Sequence, residues 1–288
     1  MAYEVQPNGG TQAVRKILKP SAFISTEGAK RMLQSMFSNP KTRDQLITEY
    51  LSACAANPLL AQCDPATSFP AYLRGKAMGF AYGVGQYDVI PYKDNRKGYL
   101  VAQFQIGAKG FKQLATRSGV YRVVDVKCVR EGEYKGRNRF TGEPCVEFEQ
   151  FEDFAKPIVG YFAYAIKPGD ELPCAVDYMT REEAVAWGKR YSKSFNSGPW
   201  KDDFDKMACK TVIKRLCSQK LALSTEIMEA VRLDQAVLST ENDQIDYVDS
   251  TVGEDPAQEA PNSQPEPTPA ETGRHADEDG VIDPDVPF

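Results

Sequence analysis

With 288 residues and 42% hydrophobic content, the chain can form one large domain or two smaller ones, and no apolar run approaches the roughly 20 residues of a membrane span. The only histidine, His275, lies in a proline-rich tail, and no G-x-x-x-x-G-K-S/T pattern occurs, which argues against Ser-His-Asp catalysis, histidine-ligated metals and ATP use. The net charge of −5 divides into +8 for residues 1–238 and −13 for residues 239–288, so a basic body suited to a polyanion precedes an acidic tail.

Residues 11–80 are predicted to be helical. A Ser-Thr pair can cap a helix that continues to Phe37, and an apolar stripe over 42–56 predicts a second helix. Asp64-Pro65 is the pattern of an N-cap followed by proline at the first helical position. These helices are expected to form scaffold or subunit contacts.

Residues 86–179 are predicted to be rich in strands. Patterns over 88–92 and 99–106 indicate a hairpin with a turn-rich loop. The loop carries three bases, Lys93, Arg96 and Lys97. Such a hairpin can be a soluble sheet edge or a contact to nucleic acid, and both interpretations stay open. Further antiparallel strands are predicted over 120–131, 145–151 and 158–167.

A glycine turn after the hairpin leads into a helix that closes at Gly119. Gly107 and Gly110 permit close backbone approach near the helix start, where free N–H groups favour anions. Three nearby bases add positive charge, namely Lys109, Lys112 and Arg117.

Residues 180–238 are predicted to be helical again. Thr180-x-x-Glu183 is a capping box, and a last helix is predicted over 223–238. Between them, residues 200–217 show an apolar stripe flanked by a lysine row, which consists of Lys206, Lys210 and Lys214. Four helical residues rise about 6 Å, so the lysine row suits a string of phosphates. A solvated helix face gives the same pattern.

The seven cysteines are odd in number and show no C-x-x-C spacing. This usage predicts reduced thiols in a cytosol, rather than a disulfide framework or a zinc site.

Several blocks, in order, resemble the RecT family of phage single-strand annealing proteins, which is loosely related to the Redβ and RAD52 annealing proteins. The likeness covers roughly residues 44–237. The blocks are Gln105-Ile-Gly-Ala-Lys-Gly110 through Arg117-Ser-Gly119, Val129-Arg-Glu-Gly132, Met179-Thr-Arg181, Ser192-Lys193 with Gly198-Pro-Trp200, and Met207-Ala-Cys-Lys-Thr-Val-Ile-Lys-Arg215. Cys209 stands where the family often has a base.

The resemblance implies an α+β fold with a central antiparallel sheet, a β-hairpin and packed helices. It implies ATP-independent binding of single-stranded DNA and annealing of complementary strands, without catalysis or cofactor, in the cytoplasm of a bacterial host. It also implies a homo-oligomer, either a ring or a helical filament, and a continuous basic groove that holds single-stranded DNA and annealed duplex. A host single-strand-binding protein and a phage exonuclease are candidate partners, and no membrane contact is expected.

The expected division is a DNA-binding and oligomerisation domain over 1–238 and a disordered acidic tail over 239–288. The predicted DNA-binding residues combine the basic segments with their polar neighbours. They are Lys93, Arg96, Lys97, Gln103, Gln105, Lys109, Lys112, Arg117, Lys193, Lys201, Lys206, Lys210, Lys214 and Arg215.

The tail ends in a sequence similar to the acidic Pro-Phe tip of bacterial single-strand-binding proteins. The residues concerned are Asp283, Asp285, Val286, Pro287 and Phe288. We expect the tip to bind a partner protein or to fold back on the basic groove, although chance in an acidic, proline-rich tail is the alternative. Deleting residues 286–288 should remove proteins from a pull-down or alter the annealing rate, and unchanged results in both assays would contradict a role for the tip.

Two other functions remain open. Asp125 with Glu133-x-Lys135 has the outline of a metal-dependent nuclease site, and Asp202, Asp203 and Asp205 form a second acidic cluster. Acidic residues are also common in the first turn of a helix. The third possibility is an adaptor that acts through the acidic tail and does not bind DNA.

Overall fold

The computed structural model describes residues 3–5, 15–192, 195–222, 225–234, 236–238 and 245–246. Over these residues the fold is α+β, with helices packed against antiparallel sheets. The helices in this part of the chain are too short or too polar to cross a membrane. Of the predicted tail, only Ile245–Asp246 is described, so the tip at 283–288 lies outside the described residues.

A strand pair and five helices form the N-terminal part. Strand β1 (Tyr3–Val5) pairs antiparallel with β2 (Arg15–Ile17). The helices are α1 (Pro20–Phe23), α2 (Glu27–Met36), α3 (Pro40–Ala56), α4 (Pro58–Gln62) and α5 (Pro65–Ala77). The N-cap at Asp64 is confirmed, because its carboxylate accepts the Ala66 N–H at 3.0 Å. Residues 65–73 of α5 are buried, so this helix is central to the N-terminal part.

Strands β3 (Tyr87–Asp94) and β4 (Tyr99–Ile106) form the predicted hairpin. Its apolar face includes Val89 and Phe104, which are buried in the main core. The outer edge of β4 is covered, because the N–H groups of residues 102, 104 and 106 donate to Thr67, Ala236 and Asp234 at 3.0, 2.9 and 2.8 Å. This covering satisfies an edge that would otherwise be open to pairing.

Helix α6 and five strands follow the hairpin. They are α6 (Ala108–Arg117), β5 (Val123–Arg130), β6 (Tyr134–Arg137), β7 (Pro144–Val146), β8 (Ile158–Ile166) and β9 (Ala175–Thr180). Strands β5, β8 and β9 form a three-stranded antiparallel sheet in the order β5-β8-β9, while β6 and β7 pair separately. The described strands therefore form several small sheets instead of one continuous central sheet.

The sequence patterns did not predict β6 and β9, and the strand predicted over 145–151 is wrong beyond Val146. Tyr134 of β6 stacks on Tyr178 of β9 with ring centroids 4.4 Å apart. The β6–β7 hairpin therefore packs on the three-stranded sheet through aromatic contacts, and long-range packing outweighs local propensity there.

The described residues of the C-terminal part form four helices and two short strands. They are α7 (Arg181–Tyr191), α8 (Pro199–Asp202), α9 (Phe204–Arg215), α10 (Thr225–Leu233), β10 (Val237–Leu238) and β11 (Ile245–Asp246). A π-helical turn, Leu216–Lys220, continues α9. The capping box that opens α7 is confirmed, with Thr180 and Glu183 bonded reciprocally at 2.9 and 3.1 Å.

Two of the predicted helices have different bounds in the structure. The helix predicted over 200–217 is divided at Asp203, whose φ of −136° and ψ of 52° are not helical. The helix predicted over 223–238 ends at Leu233, and the chain then extends along β4 to form β10. On α9, Ala208, Val212 and Ile213 are buried and anchor the helix in the core.

Candidate nucleic-acid interface

The lysine row lies on α9, but its members have different environments. Lys206 has 79% of its side chain exposed, and its Nζ lies 2.8 Å from Asp203 Oδ1. Lys210 and Lys214 are partly buried. Lys210 contacts Gln105 of the hairpin, and Lys214 contacts Asp234 at the end of α10. The three lysines therefore do not form a uniformly exposed row in this conformation.

The carboxylate of Asp234 accounts for this difference. Asp234 follows α10, is 4% exposed, and has Oδ2 3.0 Å from Lys214 Nζ. Burial raises the pKa of Asp234, but the charges of Lys214 and Lys210 outweigh it and hold the pKa below its ordinary value. Burial also lowers the pKa of Lys210, while Asp234 and Asp88 act in the opposite direction. Lys214 thus pairs with an internal carboxylate, and the charge of Lys210 acts on the same carboxylate.

Both predicted glutamines lie on the polar face of the β3–β4 hairpin. Gln105 Nε2 donates to the Tyr92 hydroxyl at 3.1 Å and to Gln103 Oε1 at 3.3 Å, and Gln105 Oε1 accepts from Lys210 at 3.4 Å. Gln103 is 1% exposed, and its Nε2 has no hydrogen-bond partner within the described residues. Contacts therefore join Gln103, Gln105 and Lys210, but Gln103 is closed to solvent.

The hairpin tip holds its three bases around Asp94. Asp94 is 1% exposed, and its Oδ1 accepts the N–H groups of Arg96 and Lys97 at 2.9 and 3.2 Å. The side chains of Arg96 and Lys97 remain 72% and 39% exposed. Lys93 is also exposed. Asp94 therefore shapes a turn that presents positive charge to solvent.

Helix α6 carries bases in three different settings. Lys109, in its first turn, is exposed. Lys112 forms an ion pair with Asp125 of β5. Arg117 Nη1 donates to the Met78 carbonyl at 2.9 Å. These contacts direct Lys112 and Arg117 toward protein groups in this conformation.

The loop before β3 occupies the start of α6. The Gly107 N–H donates to the Gln86 carbonyl at 2.9 Å, and the Lys109 N–H donates to the Gly85 carbonyl at 3.2 Å. These two carbonyls accept from the backbone N–H groups that the sequence pattern predicted would bind an anion. The close backbone approach was predicted, but the group that approaches is the chain itself.

The Gly110→Ala variant should lose about 3 kcal/mol of unfolding free energy. A Cβ at Gly110 would overlap the Gln86 carbonyl oxygen and lie 2.7 Å from Ile106 Cγ2, so the backbone would have to move. Urea unfolding measures the loss. The matched control is Gly28→Ala, where no heavy atom lies within 4 Å and where helix propensity predicts a gain of about 1 kcal/mol. Equal stability of both variants would contradict the close packing at Gly110.

The last predicted bases also differ in their environments. Lys201 on α8 is exposed, whereas Lys193 lies outside the described residues. Arg215 Nη2 lies 2.9 Å from Oδ1 of buried Asp177, and its guanidinium lies 6.0 Å from the Trp187 ring centroid. Burial raises the pKa of Asp177, and Arg215 is the strongest influence in the opposite direction. Arg215 thus has a structural partner.

Exposed bases therefore lie on the hairpin tip, in the first and last turns of α6, on α8 and on the first turn of α9. Asp88, Tyr92 and Asp234 were not among the predicted site residues. They share no local motif with the lysines. Asp234, for example, accepts the N–H of Ile106, which lies 128 residues away in the sequence. Only the fold brings them together.

The carboxylates of the alternative nuclease site have protein partners. Asp125 pairs with Lys112, and buried Glu133 accepts the Arg130 N–H at 2.6 Å. Lys135 lies 3.8 Å from a carboxylate oxygen of Glu147. Over the described ranges, no group of three or more His, Cys, Asp or Glu side chains is arranged to hold a metal ion.

Two of the three carboxylates in the second acidic cluster likewise pair with bases. Asp203 pairs with Lys206, and Asp205 Oδ1 lies 2.7 Å from Arg181 Nη1. Asp205 also accepts the Tyr161 hydroxyl at 2.5 Å. These contacts stabilise the start of α9 against β8.

Comparison with known proteins gives matches over most of this chain. The model of the RecT family matches residues 44–249, a range that contains every predicted DNA-binding residue. The uncharacterized protein YqaK of Bacillus subtilis (strain 168) is 29% identical over 234 residues, which cover 78% of this chain and 77% of YqaK. Protein RecT of Escherichia coli (strain K12) is 28% identical over 236 residues, which cover 80% of this chain and 84% of that protein. The chain belongs to the RecT family.

Proposed function

We propose that this protein binds single-stranded DNA and anneals complementary strands in homologous recombination, without hydrolysing ATP. The observation that carries the proposal is the family match over residues 44–249, which includes all the exposed bases described above. The basic balance of residues 1–238 supports a polyanionic ligand.

Annealing makes and breaks no covalent bond, so the protein's contribution is electrostatic and geometric. Two strands repel each other through their phosphates, and Lys or Arg side chains reduce that repulsion by replacing the counterions. Phosphate contacts carry no sequence information, so binding should tolerate any sequence and leave base edges free to pair. We assign this role to the exposed groups, which are Lys93, Arg96, Lys97, Lys109, Arg117, Lys201 and Lys206.

Lys112, Lys214 and Arg215 would contribute after local rearrangement, because they engage carboxylates in this conformation. We also propose an annealing core of the kind found in the Redβ and RAD52 proteins, assembly of several copies into a ring or helical filament, and action in the bacterial cytoplasm. A host single-strand-binding protein and a phage exonuclease remain proposed partners, and the tail tip is the proposed contact.

The proposal is tested by adding two complementary fluorophore- and quencher-labelled oligonucleotides to the protein in sequence, with no nucleotide present. Pairing should be faster than without protein, and a non-complementary second strand should give no quenching. The same samples, run on a denaturing gel with and without Mg²⁺, report cleavage. No acceleration of pairing would reject annealing, and Mg²⁺-dependent shortening of the strands would favour a nuclease.

A further inference from the structure

The carboxylate of Asp234 lies where the lysine row could hold a phosphate. Its Oδ2 is 3.0 Å from Lys214 Nζ, and Lys210 is the second base whose charge acts on it. Lys210 and Lys214 are one helical turn apart, a spacing of about 6 Å. The Lys214 ammonium group holds the Asp234 carboxylate in a charge-assisted contact that an external phosphate oxygen could replace.

Residues 233–238, which we term the latch, keep this carboxylate in place. The Ala236 carbonyl accepts the Phe104 N–H at 2.9 Å, and Asp234 Oδ1 accepts the Ile106 N–H at 2.8 Å. Among the described residues, Val237–Leu238 then pairs with Ile245–Asp246. The latch thus lies along the edge of β4.

The hairpin face near the latch is built from polar groups. Gln105 contacts Lys210 at 3.4 Å, which is a long hydrogen bond, and Gln103 Nε2 is buried without a partner within the described residues. A buried amide N–H without a partner costs free energy in this conformation, and a state that supplies an acceptor removes that cost. A ligand that brings acceptor oxygens to this face would supply such partners.

We propose that the latch is an intramolecular competitor for DNA, in which Asp234 takes the position of a phosphate, and that single-stranded DNA displaces residues 233–238 when it binds Lys210 and Lys214. This inference rests on the proposed function. Displacement of the latch explains why the lysine row has the spacing of a phosphate string although Lys210 and Lys214 are partly buried. The latch also weakens the apparent affinity for DNA, because only molecules in which the latch is released can bind through Lys210 and Lys214.

Hydrogen exchange on the full chain tests the displacement directly. In the free protein, the Phe104 and Ile106 amides donate to the Ala236 carbonyl and to Asp234 Oδ1 at 2.9 and 2.8 Å. With saturating oligothymidine, peptides covering Phe104 and Ile106 should exchange at least about tenfold faster, because these two amides lose their acceptors when the latch leaves. If exchange is unchanged or slower in a sample where anisotropy shows that oligothymidine is bound, the latch proposal is wrong, but the proposed function stands. Failure of the wild-type chain to bind oligothymidine would reject the proposed function itself.

The Asp234→Asn variant provides a second measurement. Asparagine keeps an oxygen for the Ile106 N–H but removes the charge that competes with phosphate. Oligothymidine should bind about fivefold more tightly at low salt, and the slope of log K against log salt should steepen by about 0.7–1.4, which corresponds to one or two phosphates on a single strand.

Asp44→Asn is the matched control, because it removes one exposed carboxylate on α3, an element that carries none of the assigned bases, and changes the net charge equally. It should change affinity less than about twofold. Equal tightening by both variants would attribute the effect to net charge and overturn the latch. Should Asp234→Asn fail to fold, the exchange experiment on the wild-type chain decides.

Discussion

The Arg215→Ala variant is expected to lose about 3–5 kcal/mol of unfolding free energy, because it leaves a buried carboxylate without its counter-charge. Asp177 is 6% exposed, and its Oδ1 is the atom that Arg215 contacts at 2.9 Å. Arg215 also lies over the Trp187 ring, so its removal opens a gap beside α7. Urea denaturation followed by circular dichroism measures the change.

Lys206→Ala is the control on the same helix. Its pair with Asp203 is exposed on both sides, so the expected loss is below about 1 kcal/mol. If Arg215→Ala is as stable as Lys206→Ala but binds oligonucleotides poorly, Arg215 contacts DNA directly and its structural role is minor. Arg215→Lys should recover only part of the stability, because an ammonium group cannot reproduce the planar guanidinium.

Replacing four exposed lysines by alanine should weaken oligonucleotide binding by about 100-fold near physiological salt and flatten the salt slope by about three, since each phosphate contact on a single strand contributes about 0.7. The four are Lys93, Lys109, Lys201 and Lys206. None of them pairs with a buried carboxylate, so the free energy of unfolding should change by less than about 1 kcal/mol. Fluorescence anisotropy at several salt concentrations measures the affinity and the slope.

A matched variant separates local contacts from net charge. Lys19, Lys30, Lys41 and Lys167 are also exposed but lie on or beside α1, α2, α3 and β8. Their replacement by alanine removes the same charge and should leave the salt slope within about one of the wild type. Equal losses in the two variants would mean that general charge, rather than the assigned side chains, determines binding.

Local signals in the sequence predicted the elements whose ends depend on neighbouring residues. Asp64-Pro65 and Thr180-x-x-Glu183 mark helix starts, because a side-chain oxygen satisfies free N–H groups within three residues. The β3–β4 hairpin was also predicted, since Asp94 and Gly98 favour a tight turn between alternating patterns.

Elements that depend on distant partners were not predicted. The last helix stops at Leu233 because the following residues pair with the edge of β4, more than a hundred positions earlier in the chain. The break at Asp203 has a comparable cause, since Asp205 is tied to Tyr161 and Arg181 on other elements. Helical periodicity carries no information about such contacts.

The candidate site was likewise predicted where it depends on local spacing and was not predicted where it depends on distant residues. Spacing placed Lys206, Lys210 and Lys214 on one helix face, but it could not show that Asp234 compensates two of them. The blocks that carry the family likeness contain Lys109, Lys112, Lys210 and Lys214 but neither Asp88 nor Asp234. Burial and charge pairing therefore separate exposed bases from lysines that are engaged internally.

The salt dependence of wild-type binding tests most directly whether exposed bases neutralise phosphates. Binding of oligothymidine and of a mixed-sequence strand of equal length would be measured over a range of salt concentrations, without nucleotide or Mg²⁺. We expect log K to fall linearly with log salt, by about 0.7 for each phosphate contacted, with nearly equal slopes for both strands. Binding that is insensitive to salt, or that strongly prefers one sequence, would contradict this mechanism.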